Sequence, residues 1–191
     1  LKKTDIVMLG SMAGSQQAGI YAAASKVSDL VVFALMAINS ILAPIISELY
    51  HTGQHQRLQQ IITLAAKSIF IFTAAVSLLL LAVGKFVLAL FGDVFVAAYS
   101  PLMILLAGQM VNAFAGPVGL VMSMSGRQKA MGVIISTSAM ANILLNMVLI
   151  PRFGLTGAAI STAVTMMMWN VAMFRYVYQK LGINSTVFRI V

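Results

Sequence analysis

The stretch from Ile61 to Val83 holds one charged side chain, Lys67, among residues that are otherwise apolar, small or weakly polar. At about 1.5 Å of rise per residue it is long enough to cross the roughly 30 Å hydrocarbon core of a bilayer. Comparable runs recur at 18–44, 101–124, 130–150 and 155–175, and those at 101–124 and 130–150 carry no charge at all. Inside lipid the backbone has no water to bond, so such segments satisfy their own polar groups as helices. A shorter apolar stub at 4–12 precedes them. The expected fold is all-α: a polytopic transmembrane bundle forming a single domain over 1–191. About six helices are expected, at 4–12, 18–44, 61–83, 101–124, 130–150 and 155–175. The first is truncated, because Thr4–Met12 is too short to span and Leu1 is no initiator Met; the chain is expected to be a piece of a longer protein. The segment 85–92, leading to the turn Gly92-Asp93, is expected to lie at the membrane interface.

Composition supports this reading. Hydrophobic residues make up 61% and charged residues 8% of the 191, against about half and about a quarter in soluble domains. That excludes a disordered segment, a nucleic-acid module and an ordinary soluble enzyme. The net charge of +8 rests largely on basic residues in short connections, where they act as topology signals. Arg57, Arg127, Lys129, Arg175, Lys180 and Arg189 fall on one side, and only Lys85 and Arg152 on the other. The richer side is expected to be cytoplasmic, with the C-terminus and the 48–60 loop inside, in an inner (cytoplasmic) membrane. There is no cysteine, hence no disulfide or thiolate site. His51 and His55 lie four apart, but Gly53 discourages a helix between them and no third ligand is near, so no metal site is expected. No nucleophile elbow, phosphate loop or carboxylate pair occurs, and the chain is expected not to be an enzyme. Asn184-Ser185-Thr186 fits a glycosylation sequon, which has no meaning on a cytoplasmic tail.

Polar side chains within the spans carry the functional information. Counted from Ala18, Lys26 lies roughly 12 Å and Asp29 roughly 16 Å along the second helix. Tyr21, Ser25, Ser28, Asp29 and Asn39 share one side of it, with Lys26 at the margin. Gln60, Thr63, Lys67 and Ser77 form a stripe on the third helix, Gln109 and Asn112 on the fourth, and Ser138, Asn142 and Asn146 on the fifth. Charge at such depth costs at least a few kcal/mol unless it faces protein or water. Lys26 and Asp29 could pair with each other, Lys67 could reach the interface, and the amides could tie helices together. Stripes on several helices at once point instead to a polar cavity. Its candidate lining is Lys26, Asp29, Lys67, Gln109, Asn112, Asn142 and Asn146. Gly116-Pro117 interrupts the fourth helix and makes Pro117 a candidate hinge.

Several stretches resemble one family. They are Thr4-Asp5-Ile6-Val7-Met8-Leu9-Gly10, Ala18–Ala24, Ala43-Pro44-Ile45-Ile46-Ser47, Leu90-Phe91-Gly92, Gly126-Arg127-Gln128-Lys129 and Leu149–Thr162. Together they resemble the C-terminal lobe of the polysaccharide-export flippases, within the multidrug/oligosaccharidyl-lipid/polysaccharide exporter superfamily. The resemblance covers nearly the whole chain. It implies one lobe of a two-lobe transporter around a central cavity, with the N-terminal lobe as the missing partner. The implied activity is to move a polyprenyl-pyrophosphate-linked oligosaccharide between leaflets by alternating access, for polysaccharide or lipopolysaccharide synthesis. No cofactor is implied beyond a possible coupling ion, Na+ or H+. The implied partners are the lipid-linked oligosaccharide and the bilayer, and no nucleic acid. A cation-coupled multidrug exporter and a peptidoglycan-precursor flippase share the fold and stay open as alternatives. Lys26 and Lys67 favour a pyrophosphate head group, whereas an exporter of cationic drugs would favour carboxylates.

Overall fold

The structure, a computed structural model, describes residues 2–187, and of Lys2, Lys3 and Ala34 the backbone alone. Arg189 lies outside the described residues. The described chain is helical as far as Leu181: α1 (Lys2–Ala13), α2 (Ser15–His51), α3 (His55–Ala89), α4 (Tyr99–Ala115), α5 (Val118–Met124) and α6 (Gln128–Leu181), with a 3-10 turn, Asp93–Ala98, leading into α4. Stretches within α2, α3, 93–115 and α6 are long and apolar enough to cross a bilayer. Their outer faces show Phe33 at 76% exposure, with Ile71 and Leu78 similar. A soluble bundle could not leave such side chains uncovered along its length, whereas in lipid they need no cover.

At 54 residues, α6 would be roughly 80 Å long if straight, far more than one crossing. It folds back instead. Gly154 leaves helical space at φ 54°, ψ −127°. A Cβ on Gly157 would collide with the Leu149 carbonyl, an approach that a straight helix does not allow for residues so far apart. Pro151 contributes by lacking an amide donor in the last turn before the bend. The two arms, 128–153 and 155–181, therefore correspond to the fifth and sixth expected spans.

The helices run further than their apolar cores suggested. α2 continues through Pro44 to His51, and α3 begins at His55, so the expected 48–60 loop shrinks to Thr52-Gly53-Gln54. Helix ends that project past the lipid can be polar, and local bonds hold them: His51 Nδ1 lies 2.7 Å from the Ser47 carbonyl, and Thr52 Oγ1 donates to the Glu48 carbonyl at 2.9 Å. Gly53, at φ 72°, puts His51 and His55 on different helices. The proposed interfacial segment 85–92 is not separate either. Lys85–Ala89 is the last turn of α3, with Leu88 fully buried and the Lys85 ammonium 5.2 Å from the centre of the Tyr99 ring. The break comes only at Gly92, whose φ of 118° suits glycine.

Two apolar clusters hold the bundle together. One joins Leu9, Tyr21, Ala24, Leu102, Leu105 and Ile150; the other joins Ile46, Leu58, Ile62, Val121, Met122 and Ile183. Between α4 and the second arm of α6, Gly108 lies against Ala163 so tightly that a Cβ would sit 3.3 Å from its Cα. Close backbone approach of this kind is how small residues bind helices together in lipid.

Candidate functional site

The first cluster surrounds a carboxyl group. Asp5, about one turn into α1, is fully buried. Asn146 Nδ2 donates to Asp5 Oδ1 at 2.6 Å. Asp5 Oδ2 accepts from Thr162 Oγ1 in a close contact and from the Tyr21 hydroxyl at 3.5 Å. The Tyr21 and Thr162 hydroxyls lie 3.1 Å apart, close enough for one to donate to the other in place of Asp5. Asn146 Nδ2 also reaches Asn142 Oδ1, one turn away, at 3.2 Å. Four segments thus converge on one side chain: α1, α2 and both arms of α6. The fold-back makes this possible, because Asn146 and Thr162 lie equally far to either side of Gly154.

Among the described side chains no Lys, Arg or His pairs with Asp5. Asn146 Oδ1 and Asn142 Nδ2 are buried without a hydrogen-bond partner. A buried carboxylate and an orphaned amide oxygen side by side are costly unless something positive shares them. The nearby oxygens are carboxylate, amide and hydroxyl, a hard donor set that suits a proton or a small alkali cation and not a soft transition metal.

Asn142 and Asn146 therefore do meet, but around Asp5, which is absent from the expected lining. Asp29, Gln109 and Asn112 are brought together elsewhere. With Val32, Met166 and Trp169 they line a pocket of about 500 Å³. A larger crevice of about 620 Å³ adjoins it, sharing Asn112 and Trp169 and reaching Asn39 and the Gly116-Pro117 break. Asn170 Nδ2 donates to Asn112 Oδ1 at 3.1 Å in its wall. The two hollows make one largely apolar trench. Lys26 is exposed on α2 and does not line it, and Lys67 sits on α3 in a separate polar hollow of about 400 Å³ with Gln56, Gln60 and Thr63. The α2 stripe is split: Tyr21, Ser25 and Ser28 are buried, while Asp29 is exposed.

A multi-pass helical membrane protein, with a carboxyl–amide cluster inside it and an apolar trench on one face, has the anatomy of a transporter lobe. Residues 1–148 match the MatE family, a family of membrane transporters in the superfamily that the sequence resembles, and the chain belongs to it. Over 179 residues it is 30% identical to a Haloferax volcanii protein named "Probable flippase AglR", an alignment covering 90% of this chain and 37% of that protein. The chain thus spans well under half the length of this relative. No solved structure matches.

Proposed function

We propose that the chain is the C-terminal lobe of a transporter that carries a polyprenyl-pyrophosphate-linked oligosaccharide across the cytoplasmic membrane by alternating access. A cation or proton at Asp5 biases its conformation. The observation that carries this reading is the convergence of α1, α2 and both arms of α6 on one buried carboxyl. Neutralising or freeing that group changes the energy of four segments at once, which is how a bound ion shifts a population of helix arrangements. The residues that would hold the ion are Asp5, Asn142, Asn146 and Thr162.

Lys26 and Asp29 are exposed near the middle of α2, where contact with hydrocarbon would be expensive. This face of α2 therefore borders the aqueous path, and the missing N-terminal lobe supplies the opposite wall. The apolar trench with amides along it suits an amphiphile with a prenyl chain. The name of the Haloferax relative supports a lipid-linked substrate. The basic connections favour a cytoplasmic C-terminus.

One observation favours the multidrug alternative: the trench holds Asp29 beside Trp169, a carboxylate and an aromatic face that suit an organic cation. The test is complementation by the full-length parent. Recovery of surface polysaccharide in a flippase-deficient strain, lost in Asp5→Asn at normal abundance, supports the proposal. Drug resistance without polysaccharide export would favour the alternative.

A further inference from the structure

The break between α4 and α5 leaves the Phe114 carbonyl without its helical donor. Pro117 has no N–H, and the Val118 N–H turns to the Gly116 carbonyl at 2.8 Å. The donor that replaces it comes from the far end of the chain: the Val187 N–H lies 3.3 Å from the Phe114 carbonyl oxygen. Gly182, a left-handed cap at φ 65°, ends α6 and sends residues 183–187 back into the bundle. All five are buried, and Ser185 completely so.

Three devices seat this segment. Ile183 joins the second apolar cluster. The Gln59 side chain, on α3, bonds the Asn184 peptide on both sides, donating from Nε2 to its carbonyl at 2.7 Å and accepting its N–H at Oε1 at 2.8 Å. The Asn184 side chain in turn accepts from the Thr186 N–H at 3.0 Å and hydroxyl at 2.7 Å, which folds the segment into a tight turn. Its backbone then lies against Gly116, where any Cβ would run into the Ser185 carbonyl. Gly116 and Pro117 also line the 620 Å³ crevice.

We propose that residues 183–187 are an internal clamp. They tie the cytoplasmic end of α3 to the α4–α5 break and hold that break in the bend that shapes the crevice. The expected behaviour is local: the clamp opens without unfolding the lobe, and α5 loosens when it does. This proposal does not depend on the substrate or the coupling ion.

The absence of cysteine allows a direct test on the full chain in detergent micelles. Ser185→Cys and Ser77→Cys are suitable buried probes, because neither hydroxyl has a hydrogen-bond partner to lose. Leu120→Cys reports on α5 from within the crevice. Each is labelled with a small maleimide, with and without Gln59→Leu. The expected result is slow labelling at 185 and 77 with Gln59 in place. With Gln59→Leu, labelling at 185 and 120 should rise roughly tenfold, the effect of losing about 1.4 kcal/mol of local bonding, while 77 stays slow. If Gln59→Leu aggregates, Thr186→Val removes the 2.7 Å hydroxyl bond to Asn184 Oδ1 and should give the same pattern, smaller. Fast labelling at 185 with Gln59 in place overturns the clamp. So does a rise at 185 with none at 120, or an equal rise at all three positions.

Discussion

Replacing Asp5 by Asn asks whether the buried cluster is a cation site or only a hydrogen-bonded tie. The substitution keeps one acceptor for Asn146 Nδ2 and the side chain's shape. What it loses is limited by fallback partners. Thr162 Oγ1 also reaches the Ala158 carbonyl at 3.1 Å, and the Tyr21 hydroxyl also reaches Thr162 at 3.1 Å. The net loss is therefore about one charge-assisted hydrogen bond exchanged for a neutral one, about 1–2 kcal/mol. Relief from burying a carboxylate offsets part of this. Cation binding adds a separate term: at a hundredfold excess over Kd, a ligand that binds only the folded state stabilises it by about 2.7 kcal/mol. For a domain of this size that is roughly 5–10 °C in Tm. The assay is thermal unfolding of the full-length parent in detergent, with sodium exchanged for choline at constant ionic strength and the series repeated across pH. The parent's Tm should depend on sodium or on pH, and that of Asp5→Asn on neither. A parent indifferent to both, or an Asp5→Asn protein that keeps the full dependence, would refute the cation site.

Gly157→Ala should cost several kcal/mol, because its Cβ would strike the Leu149 carbonyl and only an opening of the α6 fold-back relieves the clash; the Tm of the purified protein reads this, and the sodium or pH dependence should disappear with it. In the full-length parent, Lys26→Ala is expected to keep normal abundance and lose export, and Lys26→Ala/Asp29→Ala to stay inactive; full export by the double variant would end the substrate role of Lys26. A Cys at Gln54 should resist an impermeant reagent added outside intact cells, since this short turn is assigned to the cytoplasm, and rapid labelling would invert the topology.

The all-α spanning architecture was legible because it depends on a local property, the length of apolar runs, and lipid leaves few alternatives. Helix ends were less legible. Ser47–His51 and His55–Gln60 look like loop by hydropathy, yet a helix outside the lipid can carry such residues freely. Part of the site was also legible: Asn142 and Asn146 stand one turn apart in an uncharged run, a pattern that marks them at once. Their partner was not. Asp5 bonds residues more than a hundred positions away, and no periodicity along α1 reports a contact made by a fold-back in α6. Lys26, at the margin of the α2 polar side, and Lys67, in the α3 stripe, lie apart from the trench, because a stripe on one helix does not tell which neighbour it faces. The tail is expected only to be cytoplasmic, and its docking does not show in its own residues; Gln59 and the Phe114 carbonyl, which draw it in, lie on other helices.

The fold-back of α6 also has a consequence for how the protein is made. Thr162 leaves the ribosome 157 residues after Asp5. At about 5–20 residues per second, roughly 8–30 s separate the two. During that interval a carboxylate on α1 lacks the hydroxyl and amide donors of α6, and an unsupported Asp in the bilayer is costly, up to about 2.5–3.5 kcal/mol at a helix centre. Stable insertion of α1 therefore waits for the second arm of α6. Truncation anywhere before that arm should leave α1 poorly inserted, making its synthesis a checkpoint on membrane assembly.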